Sequence, residues 1–448
     1  MAALKSFQRL YRLGPSNIRQ LLEQRWLAVA LSLMLTGLGA ALTSILFKTG
    51  VSWLSNWRLQ LLAKLPSLIA LPVLGIAGGL VSGWLVVWLA PAASGSGITH
   101  IMSFLHHRSV PMGLQVGLTK LIAGIVAIGS GFPLGPEGPA VQMGGSVAWQ
   151  MAKWLKVPAA FQRVIVAAGS GAGIAAVFSA PIGGFVYAVE ELLHSARPVV
   201  LLLVIVTTFW ADAWADTLSI LGSGSVSGLY SSLSFQLERE YTSLVQFLPI
   251  DLGYLVGLGC ITGLLAEAYC RYVLAMQHCG DIWFANRPVL RIALSGGILG
   301  SIYGTLPSIF YDIAELQHLI ADSRANIQLA LAIFAVLFFS TALAAASGAP
   351  GGLFAPMLIL GGSIGLVCGD WTEAFTGYVP TTYVFAGMGA FVAGCARTPI
   401  TAMFLVFALT KDLLILKPIL VACLISFLVA RTFDQRSIYE RQMILEYN

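Results

Sequence analysis

Gly131-Phe-Pro-Leu-Gly-Pro-Glu-Gly-Pro139 is followed by Gly144-Gly-Ser146, and further along Gly348-Ala-Pro-Gly-Gly-Leu-Phe-Ala-Pro356 is followed by Gly361-Gly-Ser363. Gly131 and Gly348, Pro133 and Pro350, Gly135 and Gly352, and Pro139 and Pro356 are all 217 apart (356 − 139). A second pair of segments keeps the same order: Gly171-Ala172 with Pro181-Ile182, and Gly389-Ala390 with Pro399-Ile400, 218 apart (399 − 181). Two blocks in the same order, with one residue of drift, indicate a duplicated chain. Many membrane transporters are built from such repeats, with the substrate site where the halves meet.

The sequence around these blocks is apolar. Of 448 residues, 57% are hydrophobic and 10% charged, and mean hydropathy is +0.84. Soluble domains carry about 25% charged residues. Residues 27–47, 67–90, 198–222, 250–269, 327–346 and 413–430 are each nearly free of charge and of the roughly 20-residue length that crosses a bilayer as a helix. Alternating segments of about 10 residues, the mark of membrane strands, are missing. The expected fold class is an all-α polytopic membrane protein.

Residues 1–26 read as a cytoplasmic N-terminal segment and 27–448 as one transmembrane transport domain, with repeats at about 27–222 and 245–435. The first apolar run is too long for a cleaved signal. Lys5, Arg9, Arg12, Arg19 and Arg25 precede it, and Arg431, Arg436 and Arg441 follow the last run, so both termini are expected in the cytoplasm. Lys48, Arg58 and Lys64 fall on the other side in this reading. A net charge of +5 without a basic cluster among aromatics gives no support for nucleic-acid binding. The six cysteines form no CxxC pair, and no metal or disulfide framework is expected.

Glycine and proline break the apolar sequence at Ser94–Thr99, Gly131–Pro139 and Ser347–Pro356. Irregular backbone at membrane depth survives only where protein or a watery cavity satisfies it. Each break precedes a new apolar run, so each reads as a helix start. A helix start carries unpaired N–H groups and about half a positive charge. Several meeting at mid-depth make an anion site without a full positive charge. Glycines can instead serve only close packing. Glu137, 17 residues after Lys120 (137 − 120) in uncharged sequence, favours the site reading, because an ionisable group at that depth is costly. As a carboxylate it can occupy the anion site; protonated, it can leave. Glu190 and Glu191 close another apolar stretch, and adjacent helical residues point about 100° apart. One is expected to face inward and the other to cap, pair or face solvent.

These residues resemble the CLC family of chloride channels and chloride/proton antiporters. Gly95–Ile98, Gly135–Pro139 and Gly351–Pro356 are similar to its three selectivity signatures, in order, and the likeness extends through Ala180–Glu191 to Ser437-Ile-Tyr439. The resemblance implies inverted repeats of tilted and broken helices, with helix N-termini meeting at a midplane anion site. It implies a homodimer in the bilayer with one pore per subunit, and no cofactor besides the transported chloride. Ser96 and Tyr439 would offer hydroxyls to a central chloride, with backbone at Gly97, Ile98, Leu353 and Phe354. Glu137 would be the external gate and Glu191 the internal proton-transfer group. Glu137 and Glu191 together point to a chloride/proton antiporter, with a passive channel using the same site as the alternative. Ser96 and Tyr439 argue against a fluoride-selective relative.

Some positions depart from the family pattern. Pro136 stands where a basic residue is usual, Thr99 where proline is, and Ala408 where a glutamate is common. Thr99 can serve as an N-cap through its hydroxyl. With only a short sequence after Tyr439, paired cytosolic nucleotide-binding domains are not expected, which resembles prokaryotic antiporters of the inner membrane. A hydrolase would need a nucleophile with a base in reach, and none of the six histidines lies deep in a long apolar run. A purely structural protein would have no need of Glu137.

Overall fold

The structure, a computed structural model, describes residues 15–222, 251–285, 287–323, 325–376 and 381–447. Among them the chain is helical, and its single β-bridge joins Gly135 to Gly352. The first half contains α1 (Pro15–Leu62), α2 (Ser67–Leu89), α3 (Ile98–Leu105), α4 (Leu114–Gly129), α5 (Glu137–Trp154), α6 (Ala159–Phe178), α7 (Pro181–Tyr187) and α8 (Pro198–Gly222). The second contains α9 (Asp251–Trp283), α10 (Pro288–Gly304), α11 (Ile313–Ala321), α12 (Ile327–Ala346), α13 (Phe354–Thr376), α14 (Thr381–Ala396), α15 (Pro399–Thr410), α16 (Leu416–Phe433) and α17 (Ile438–Tyr447).

Eight stretches among the described residues are long and apolar enough to cross a membrane. Six contain or overlap the runs read from hydropathy. The other two, Phe161–Phe178 and Phe354–Thr372, are 83% and 78% buried inside the protein. Their small residues serve helix contact rather than lipid contact, which lowers their hydropathy. With 48 residues, α1 is about 72 Å long; it must tilt or protrude from a core of about 30 Å. Lys48 and Arg58, assigned by hydropathy to sequence beyond the first span, therefore lie within a continuous helix, and Arg58 is only 3% exposed.

The halves repeat in backbone detail. Gly131 and Gly348 both have positive φ (114° and 80°), as do Ser179 and Arg397 (50° and 63°), which end α6 and follow α14 before a proline-started helix. Helices α2 and α10 show how the halves are oriented. A methyl added at Gly75 would lie 2.1 Å from the Gly296 carbonyl oxygen, and one at Gly296 would lie 2.1 Å from that of Gly75. The flanking contacts, Gly79 against Ile292 and Gly300 against Leu71, run in opposite directions along the two helices. The pair is antiparallel and self-complementary, the signature of a two-fold axis. Equivalent helices running antiparallel across the membrane make the repeats inverted.

Candidate anion site

The three Gly/Pro breaks meet at the centre and are stitched together by backbone. Gly95 N–H donates to Gly348 O (2.9 Å) and Gly351 N–H to Gly95 O (3.2 Å). Gly135 and Gly352 each donate to the other's carbonyl at 2.8 Å. From this junction α3, α5 and α13 begin at Ile98, Glu137 and Phe354. Pro136 is the N-cap of α5 and Pro139 lies in its first turn, where a missing N–H costs nothing. Thr99 does not cap α3. That position belongs to Gly97, at φ 86°, because only glycine turns there without strain. The Thr99 side chain instead shares the wall of a cavity with Glu446.

Glu137 is 1% exposed, and its Oε1 accepts the Phe354 N–H at the start of α13. A carboxylate thus fills the amide cradle at the head of a helix, where an anion would bind. The other oxygen, Oε2, has no hydrogen-bond partner among the described residues. A methyl at Gly135 or Gly352 would lie 2.1 Å from one of the two oxygens, so the seat exists because both residues are glycine. Leu353 and Phe354 are 2% and 5% exposed, and Ile98 1%. Half-buried Ser96 accepts the Ile98 N–H on its hydroxyl at 3.3 Å. Tyr439 is 1% exposed, and its Oη has no partner among the described residues.

Glu190 and Glu191 diverge as adjacent residues should, in the π-helical turn Ala188–Leu193 after α7. Glu190 accepts the Ile400 and Thr401 N–H groups (3.3 and 2.7 Å) and the Thr401 hydroxyl (2.7 Å), so it caps α15. Glu191, 4% exposed, accepts the Ser437 hydroxyl at 3.0 Å, two residues before Tyr439. The same C-terminal segment is anchored by Glu267, which pairs with Arg397 (2.7 Å), Arg441 (2.8 Å) and Arg271 (2.9 Å).

Two cavities flank the junction. One reaches Gly135, Pro136 and Ala355 and is lined by Lys48, Arg58 and Asp312; it sits at the Leu71–Gly75 end of α2. Arg58 donates to Tyr311 O at 2.7 Å, while its Nε has no partner among the described residues. The other cavity lies beyond the opposite end of α2, at Pro91 and Ala92, and reaches Gly95, Thr99, Gly348 and Glu446. Glu137 therefore stands beside one cavity and the Ser96 loop beside the other.

The family description "Voltage gated chloride channel" matches residues 78–431, more than three quarters of the chain. The chain belongs to the CLC family. It is 30% identical to the "H(+)/Cl(-) exchange transporter ClcA" of Cronobacter sakazakii, over 94% of this chain and 91% of that one. It is equally similar to the protein of the same name from Salmonella arizonae, over 96% and 92%. Among solved structures, a "slow cyanobacterial Cl-/H+ antiporter" superimposes with a TM-score of 0.83 at 26% identity, over 94% of this chain and 98% of that one. A "eukaryotic CLC transporter" gives 0.78 at 22% identity, over 94% and 74%, and shows the shared fold.

Within this CLC chain the sequence reading passed over Lys120 and Tyr187. Lys120 is fully buried in α4 and donates to Ala93 O (3.1 Å) and to Gly95 O, behind the Ser96 loop. Its isolation between Arg108 and Glu137 was the same signal that singled out Glu137. Tyr187 carried no such signal, because tyrosine is common in apolar helices.

Proposed function

We propose that this protein exchanges chloride for protons across the membrane. One observation supports this above the rest: a buried carboxylate, Glu137, occupies the amide cradle of α13 in place of an anion. Carboxylate and chloride compete for one seat. When Glu137 takes a proton it loses the charge that holds it there, and chloride can enter. When chloride leaves, Glu137 releases its proton and returns. One group thereby couples two ions without simultaneous occupancy. The preorganised amides supply enough attraction for binding and no full charge that would trap the ion.

In this reading Ser96, Gly97 and Ile98 bound the seat from the α3 side, Leu353 and Phe354 from the α13 side, and Tyr439 from the C-terminal helix. Glu191 passes protons to and from the cytoplasmic side, and Glu190 caps α15. The relatives named as proton/chloride exchangers favour exchange over a passive channel. The termini lie in the cytoplasm, so the Arg58 cavity faces outward, and the protein works as a homodimer with one pore in each subunit, in a prokaryotic inner membrane.

Reconstitution into liposomes loaded with chloride tests the reading. With a chloride gradient imposed and external pH recorded, outward chloride flow is expected to drive protons inward against their gradient. Chloride efflux with no proton movement would instead identify a passive channel.

A further inference from the structure

Tyr187 lies in the run Ala180–Glu191, four residues before Glu191, a spacing that puts both side chains on one face of a helix. It ends α7, directly before the π-helical turn Ala188–Leu193, and such turns concentrate at functional positions. The side chain is 4% exposed, yet its Oη has no hydrogen-bond partner among the described residues. A buried tyrosine hydroxyl is normally bonded. This one lies within electrostatic reach of both Glu191 and Glu137. Tyr439, whose Oη is likewise unpartnered, lies within reach of the same two carboxylates and of Tyr187.

No hydrogen bond links the two carboxylates. Glu191 is held by Ser437, and Glu137 by the Phe354 N–H. A proton moving between them needs intermediate groups that both accept and donate. A hydroxyl does this without ionising, since it takes a proton on a lone pair and gives up the one it carried. Lysine and arginine only donate, and the hydroxyl of Ser437 is already engaged with Glu191. Tyr439 belongs to the proposed anion shell. Tyr187 is a buried hydroxyl outside that shell, unpartnered among the described residues, one helical turn from Glu191 and within electrostatic reach of Glu137.

We infer that Tyr187 is a proton-relay residue, its hydroxyl passing protons between Glu191 and Glu137 together with bridging water. Each transfer moves one proton onto Oη and one off it, so the phenol ends neutral and Glu137 gains the proton that Glu191 loses. The inference rests on the exchange reading above and adds the route between its two acids.

Tyr187→Phe removes only the hydroxyl and keeps the ring, and Tyr187→Leu removes both. Each is reconstituted beside the wild type, and chloride and proton fluxes are measured in the same vesicles. The relay predicts that proton turnover falls roughly tenfold in Tyr187→Phe, a modest share of what positioned proton transfer contributes. Chloride flux should fall less, so that the chloride-to-proton ratio rises. Tyr187→Leu should match it. A purely structural ring would leave Tyr187→Phe with the wild-type ratio and rate while Tyr187→Leu suffers; that result overturns the relay and leaves exchange intact. A wild type that moves chloride without protons overturns exchange, and the relay with it.

Discussion

Gly135 and Gly352, equivalent residues of the two repeats, are hydrogen-bonded to each other reciprocally, each N–H to the other's carbonyl at 2.8 Å. Such self-pairing places them on the pseudo-two-fold axis. The axis therefore runs through the candidate anion site. Symmetry ends at the side chains: one repeat supplies Glu137, and the other supplies the Phe354 amide that receives it.

Replacing Glu137 by glutamine keeps the shape and removes the titrating charge. Chloride flux is expected to persist and lose its acceleration at low pH, while proton movement ceases. Paired flux traces across a range of pH check this, and retained proton coupling would refute the gating role.

Gly135→Ala places a methyl 2.1 Å from Glu137 Oε2 and 2.9 Å from the Ala355 methyl. The carboxylate must leave its seat, because real Cβ contacts are never that close. Chloride leak uncoupled from protons should rise several-fold, read as the flux ratio in liposomes.

The two neighbouring acids should separate cleanly. Glu191→Gln is expected to abolish proton transport and leave chloride flux. Glu190→Gln weakens only the cap of α15, at a cost of about 1 kcal/mol, and should keep the wild-type ratio with a slightly lower unfolding temperature.

Glu267 faces three arginines, of which Arg397 and Arg441 are buried (side chains 5% and 9% exposed). Glu267→Ala strands those charges, which costs about 3–5 kcal/mol for a broken buried pair. Thermal unfolding in detergent should show a drop of several degrees. Because Arg441 shares α17 with Tyr439, chloride affinity should weaken alongside.

Lys48 lines the cavity beside Pro136, while Asp212 and Asp216, which act on it electrostatically, are not in the wall. Lys48→Gln makes this side more acidic by one charge and depletes chloride there. The apparent chloride KM should rise roughly three-fold on that side alone, with the difference shrinking as inert salt screens it.

The sequence alone makes the membrane class, the duplication and the three breaks legible, because hydropathy, repeat spacing and Gly/Pro chemistry are local. It also singled out Glu137, since an isolated charge in apolar sequence stands out whatever its partners. It missed the spans Phe161–Phe178 and Phe354–Thr372, whose small residues are selected by contact with other helices. Thr99 lies inside its helix and does not cap it, because the helix start is set by the turn at Gly97. Packing in three dimensions brings Glu137 of one repeat onto an amide of the other, turns Glu191 and not Glu190 toward Ser437, and buries Arg58 beside a cavity. These are contacts between residues 217, 246 and 253 apart. Pattern along the chain reports which groups are costly to bury; which partners offset that cost depends on how the two halves fold against each other.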